Sequence, residues 1–177
     1  MKRSVVLFVL LMIINKLSSC PQSEIVADPN IDMYYATYNY IVKNGTKKAE
    51  DYVISNITYN LGYWSFEGEL ADMPEQKKLL DAQIKRHYFD LEIGGVKNSI
   101  DSLTKNSKNP KFVIFYSAME DGMNIVHVVP FDKKRHMVED INNFYAMCHF
   151  TTSLYFLFVF DKERKIIRVA SHEMIID

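Results

Sequence analysis

Apolar residues along the chain change their spacing near residue 111, from helical periods before it to strand-like runs after it. Between 31 and 44, Ile31, Tyr34, Tyr35, Tyr38, Ile41 and Val42 recur at helical intervals, with Asn30 placed to cap the start and Gly45 to stop the end. Tyr52 to Phe66 is dominated by β-branched and aromatic residues and broken by Asn60 and Gly62, which predicts a strand, a turn and a second short strand. Pro74 to Ile93 predicts the strongest helix: Pro74 suits a first turn, Glu75 favours the positive helix start, and Leu79, Leu80, Ile84, His87, Tyr88 and Leu91 make a stripe. Gly94-Gly95 closes it, and Val96, Ile100 and Leu103 suggest one more short helix before the polar loop 105–110.

Beyond Lys111 the runs Phe112 to Ala118 and Met123 to Phe131 flank an Asp121-Gly122 dipeptide, a hairpin signal. Residues 137–148 could form a helix carrying Val138, Ile141, Phe144, Tyr145 and Cys148. Ser153 to Phe160 is apolar at every second position and at those between, as a strand covered on both faces would be. The turn Asp161 to Lys165 leads back through Ile166 to Met174. Phe131 to Arg135 (FDKKR) and Phe160 to Arg164 (FDKER) are alike, as two strands ending in similar charged turns would be. The expected fold is α+β: an antiparallel sheet built largely from the C-terminal half, packed against two or three helices.

The first thirty residues follow another logic. Lys2 and Arg3 precede an unbroken apolar run, Val5 to Ile14. That run is shorter than the roughly 20 residues a helix needs to span a bilayer, and fits the apolar core of a secretory signal, about 7 to 15 residues long. It closes on Leu17-Ser18-Ser19-Cys20, which resembles the lipobox of bacterial lipoproteins. The resemblance implies cleavage after Ser19, acylation of Cys20 and a membrane anchor; plain secretion and an uncleaved anchor are the alternatives. The expected organisation is a signal peptide over 1–19, a lipidated cysteine and tether over 20–30, and one domain over 31–177. No Asp follows Cys20, and no acidic run, so either the inner or the outer membrane stays open as the address.

Composition narrows the function classes. Of 177 residues, 48% are hydrophobic and 24% charged, an ordinary globular balance. The net charge of −1 falls to −4 once Lys2, Arg3 and Lys16 leave with the signal, so nothing advertises a nucleic-acid partner. With Cys20 acylated, Cys148 is the one remaining thiol and no intrachain disulfide can form.

Chemistry-bearing constellations are thin. The five histidines lack the i, i+4 pairing with an intervening acid that zinc peptidases use, so neither a metal nor another cofactor is expected. No nucleophile elbow, P-loop or dinucleotide fingerprint occurs. Adjacent residues diverge on a strand, so His172-Glu173 and Cys148-His149 make no ready dyads, although His127, His172 or Cys148 could meet in space as the residues of an envelope hydrolase. The paired acids Glu67/Glu69 and Glu120/Asp121 read first as solvated side chains. Aromatics are abundant, with 11 Tyr, 11 Phe and one Trp. Tyr34, Tyr38, Tyr63 and Trp64 are amphipathic and could line a binding surface for a glycan or a partner protein.

The YNYIV segment (Tyr38 to Val42), the central charged helix and the terminal Tyr155 to Asp177 hairpin are similar in texture to small lipoproteins of Bacteroidetes without an assigned activity. The resemblance implies an envelope location and carries over no catalytic residue. The expected function is a membrane-anchored envelope lipoprotein acting as a non-enzymatic binding module. A periplasmic immunity or inhibitor protein is the neighbouring reading, and the hydrolase is the rival class.

Overall fold

The tyrosine-rich stretch folds as helix α1, Ile31–Asn44, in a computed structural model that describes residues 28–45, 47–59, 61–87, 96–97, 100, 107, 109–137, 141–143, 146–147 and 151–176. Its inward face carries Met33, Tyr34, Thr37, Tyr38 and Ile41, the spacing of one helical stripe. Both ends differ from expectation. The Asn30 side chain makes no capping bond; instead its N–H donates to Asp28 Oδ1 at 2.8 Å, an Asx turn that aims the chain into the helix. Gly45 N–H donates to Ile41 O at 2.8 Å, but with extended rather than left-handed backbone.

Strand β1 is Tyr52–Tyr59. The second short strand expected after it is instead a single 3-10 turn, Tyr63–Phe66. Tyr63 and Phe66 are both buried, and residues three apart share a side in a 3-10 turn but take opposite faces of a strand. Helix α2 runs Pro74–His87 and buries Leu80 and Gln83 while leaving Leu79 exposed. Residues 88–95 lie outside the described residues. Val96–Lys97 forms strand β2, not the start of a helix. It pairs antiparallel with β1, Ile57 opposite Lys97 and Thr58 opposite Val96, which gives both backbones hydrogen-bond partners.

The second half follows the expected pattern closely. Strands β3 (Phe112–Ser117), β4 (Met123–Pro130), β5 (Thr151–Phe160) and β6 (Ile166–Ile176) run consecutively. The sheet order is β2-β1-β3-β4-β5-β6. Every neighbouring pair is antiparallel except β1 and β3, which run parallel. The fold is therefore α+β with a mostly antiparallel sheet. At the amino ends of the parallel pair, Lys111 Nζ lies 2.8 Å from Asp51 Oδ1, and Lys111 N–H donates to Asp51 O. The Lys111 ammonium, hydrogen-bonded to Asp51, holds that carboxyl below its ordinary 3.8. Six of the twelve residues of the expected helix over 137–148 lie outside the described set.

Both sheet faces are apolar. Ile114, Tyr116, Val126, Val128, Phe158 and Phe160 pack with α1 on one side. Val113, Phe115, Ile125, Val129, Leu157 and Val159 pack with Phe66, Leu80 and Met147 on the other. Strand alternation accounts for the division, since successive side chains of β3, β4 and β5 point to opposite faces. The two charged turns share a device: Asp132 Oδ1 accepts from Lys134 N–H at 2.9 Å, and Asp161 Oδ1 accepts from Glu163 and Lys165 N–H at 2.8 and 2.9 Å.

The register of β1 against β3 slips between Ile54, opposite Ile114, and Thr58, opposite Tyr116. Ser55 Oγ accepts from Ile57 N–H at 3.3 Å inside this bulge, and Asn142 Oδ1 accepts from Asn56 N–H at 3.0 Å. The Tyr59 hydroxyl donates to Asn142 O at 2.5 Å.

The hairpin between β3 and β4 turns at Asp121 and Gly122, both left-handed at φ 51° and 70°. Glu120 and Met123 exchange backbone hydrogen bonds across it, the arrangement of a type I′ turn. A Cβ at Gly122 would also sit 3.3 Å from Phe160 O. Gly122→Ala should therefore cost about 1–2 kcal/mol, read as a lower urea midpoint at unchanged slope.

Candidate binding site at the carboxyl end of the parallel pair

Among the described residues, the polar side chains concentrate where β1 and β3 end together, Tyr59 beside Ser117. Helix α1 and strand β4 both hydrogen-bond Ser117. The Tyr34 hydroxyl of α1 donates to Ser117 O at 3.2 Å, and Asn124 Nδ2 of β4 donates to the same oxygen at 2.9 Å. Ser117 Oγ accepts from Ile125 N–H at 2.9 Å and donates to Ala118 O at 2.8 Å. Tyr63, from the 3-10 turn after β1, is buried on the opposite face of the sheet from Tyr34.

The rim of this cluster is acidic. The hairpin turn presents Glu120 and Asp121, and α2 reaches them with two side chains: Gln83 Nε2 donates to Asp121 Oδ2 at 2.5 Å, and Arg86 Nη1 lies 3.4 Å from Glu120 Oε2. Burial pushes the Tyr34 and Tyr63 hydroxyls well above their ordinary 10.0. Asp28 and Glu120 add to the rise at Tyr34, and Glu120 and Asp121 at Tyr63. Both phenols stay protonated throughout the physiological range, and the Tyr34 hydroxyl keeps its proton for the bond to Ser117 O.

This arrangement redistributes the expected aromatic surface. Tyr34, Tyr38 and Tyr63 are core residues, each under 5% exposed. Tyr34 and Tyr38 sit four apart on the inward stripe of α1, and Tyr63 is turned in by the 3-10 geometry, so these three form no surface. Trp64 alone of the four is outside, 56% exposed. Its indole lies over Gly62, where any Cβ would collide with the ring.

The histidines divide. His127 is fully buried on β4, with Nε2 against Ser153 Oγ, and Ser153 Oγ donates onward to Met174 O at 3.4 Å. Registers place His127 opposite Tyr155 and Tyr155 opposite His172, one row across three strands. His127 packs edge-on to Tyr155 at 4.2 Å between ring centroids. At the outer end, His172 packs on Phe66 at 4.9 Å and lies 3.7 Å from Glu69 Oε1. The Ser153–His127 contact has the donor–acceptor chemistry of a nucleophile and base, but both residues are sealed in the core, where the pair acts as a satisfied polar tie.

Cys20 and Cys148 lie outside the described residues, as do Gly94 and Gly95. Among the described residues no group of three His, Cys, Asp or Glu side chains converges as metal ligands would. The acids of the rim were visible in the sequence as Glu120-Asp121. Gln83 and Arg86 were not, because α2 precedes the hairpin by more than thirty residues and carries no local sign of it. No protein-family model, curated protein or solved structure matches the chain at a significant level.

Burial holds the His127 imidazole far down, from the ordinary 6.5 to about 3. Its neutral form is thus favoured by folding, and the contribution is complete above pH 6.5 and lost as the pH falls from there toward 3. Chemical denaturation between pH 7 and pH 4 should show stability falling by up to about 1.4 kcal/mol per pH unit from this group, and His127→Gln should remove that component of the slope.

Proposed function

We propose that the chain is a membrane-anchored envelope lipoprotein whose domain is a binding module rather than an enzyme. Lipidation of Cys20 in the Leu17-Ser18-Ser19-Cys20 box supplies the anchor, and residues 21–30 are the tether. Two or three acyl chains hold a protein on a bilayer where one chain of myristoyl length is marginal.

The observation that carries the binding reading is Trp64. An indole 56% exposed costs hydration free energy, and this one is not on a loose loop: it follows the buried Tyr63 and precedes the buried Phe66 in a single turn. A seated, exposed aromatic gives a flat apolar contact at small entropic cost. The acidic rim of Glu120 and Asp121 belongs to the same carboxyl end of the sheet from which that turn departs. A glycan, through its apolar sugar face and its hydroxyls, or a partner protein would suit these groups. An immunity or inhibitor role is one form such a protein partner would take.

Two measurements test the proposal. Intact mass of the chain from membrane fractions should show loss of residues 1–19 and added acyl mass, absent in Cys20→Ala; an unlipidated wild-type mass overturns the anchor. Because Trp64 is the sole tryptophan, its fluorescence should shift when a panel of envelope glycans and proteins is titrated in. Trp64→Ala should weaken the responding ligand by about tenfold or more, the range of an aromatic hot spot. A silent panel counts against this surface.

A further inference from the structure

The amino ends of β1 and β3 carry a basic corner. Several segments are drawn together there: Phe131 N–H donates to Lys111 O at 2.7 Å, Lys133 Nζ donates to Asn109 Oδ1 at 2.5 Å, and Asp51 Oδ2 accepts from Lys48 N–H at 3.2 Å. The end of α1 lies over the same corner, with Lys43 in its last turn and a Cβ on Gly45 set to touch the Tyr52 hydroxyl.

Each acid of this corner is already matched. Asp51 pairs with Lys111 at 2.8 Å, Glu50 with Lys48 at 3.9 Å and Asp132 with Arg135 at 3.9 Å. Asp51 and Asp132 also accept from backbone N–H groups, so their carboxylates are turned toward the chain. Lys43, Lys47, Lys133 and Lys134 are left over, all exposed and none in an ion pair among the described residues. This surplus of four ammonium groups stands on a chain whose processed form is net −4. Like charges gathered in one corner repel, and a surface of one sign draws the opposite charge to it.

We propose that this corner binds an anionic polysaccharide, the four surplus ammonium groups meeting acid groups repeated along its chain. The residue types select that partner. Lysines are mobile point charges, without the planar fork by which Arg reads a carboxylate or phosphate. Protein–protein interfaces are depleted in Lys and enriched in Arg and aromatics. The aromatics of this corner, Tyr52 and Phe131, are buried, so neither can stack a nucleic-acid base. A flexible acidic chain needs only a spread of positive charge.

The corner also lies at the far end of the domain from the anchor. Pro29 O accepts from Arg164 Nη1 of the β5–β6 turn at 2.8 Å, and Phe160 N–H donates to Gly122 O at 2.8 Å. The tether therefore joins the domain at the hairpin end. Strand β4 runs from there to the basic corner, a span of about 23 Å for its eight residues. With the anchor proposed above, the corner faces away from the bilayer. That orientation rests on the anchor; the charge surface does not.

Full-length protein in non-ionic detergent should be retained on immobilised alginate and dextran sulfate, and not on unmodified dextran. With four ammonium groups engaged, affinity should fall roughly 50-fold between about 50 and 200 mM salt, as counterion release from a flexible polyanion requires. Lys43→Gln, Lys47→Gln, Lys133→Gln and Lys134→Gln together should abolish retention with unchanged far-UV circular dichroism. The same change at the exposed Lys78, Lys85, Lys162 and Lys165 removes equal charge elsewhere and should leave retention in place. No retention on either acidic polymer overturns the proposal, as does equal loss in both variants, or retention on duplex DNA and on neither glycan. Should the first variant misfold, lysine acetylation of the wild type decides. Alginate should protect Lys43, Lys47, Lys133 and Lys134 and leave Lys78 and Lys162 reactive; uniform reactivity overturns the site. These readouts use no membrane, so they succeed or fail apart from the anchor.

Discussion

A sheet that is apolar on both faces cannot stand in water, and the rest of the molecule follows from that. Strands β3, β4 and β5 alternate large side chains to either side, so each face needs its own cover. The N-terminal half provides it: α1 closes one face with Met33, Tyr34, Tyr38 and Ile41, while Phe66 and Leu80 close the other. Between the two covers, β1 enters beside β3 in parallel, which its connection through α2 permits and a tight hairpin would not. The tyrosines of α1 are large enough to fill the cover and still carry a hydroxyl to Ser117.

The same geometry explains why polarity gathers at one end of the sheet. The middle of the strands is packed on both sides, so hydrogen-bonding side chains are accommodated where strands stop. Ser117 ends β3 and receives hydrogen bonds from Tyr34 of α1 and Asn124 of β4, and the hairpin beyond it holds the acids outward. His127 is an exception within the packed region, and its tie to Ser153 compensates for burying a polar ring. Structural compensation of this kind, rather than proximity of nucleophile to base, is the sense of that contact.

Much of this was legible in the chain itself. The Asp121-Gly122 hairpin, the doubly apolar β5 and the outward return of β6 each had a local signature, because turn chemistry and strand alternation are short-range properties. The α1 spacing was equally clear, but the direction of its tyrosines was not. Tyr34 and Tyr35 look alike in sequence, and only the position of the sheet makes one core and the other surface. The 3-10 turn at Tyr63 and strand β2 were misread for a related reason: short segments take the geometry that their neighbours in space demand. The cluster around Ser117 draws on α1, β4, α2 and the turn after β1, so no window of the sequence contained it.

The bulge of β1 has a consequence in time. Its Asn56 N–H closes on Asn142, a residue 86 positions further along the chain, and Tyr59 closes on the same residue. The hairpins β3–β4 and β5–β6 can zip locally, whereas β1 reaches its final hydrogen bonding only after the connection between β4 and β5 has been laid across it. Such long-range closure slows folding. During synthesis, β1 and the tyrosine-rich helix before it must therefore wait, incompletely bonded, for most of the domain to emerge.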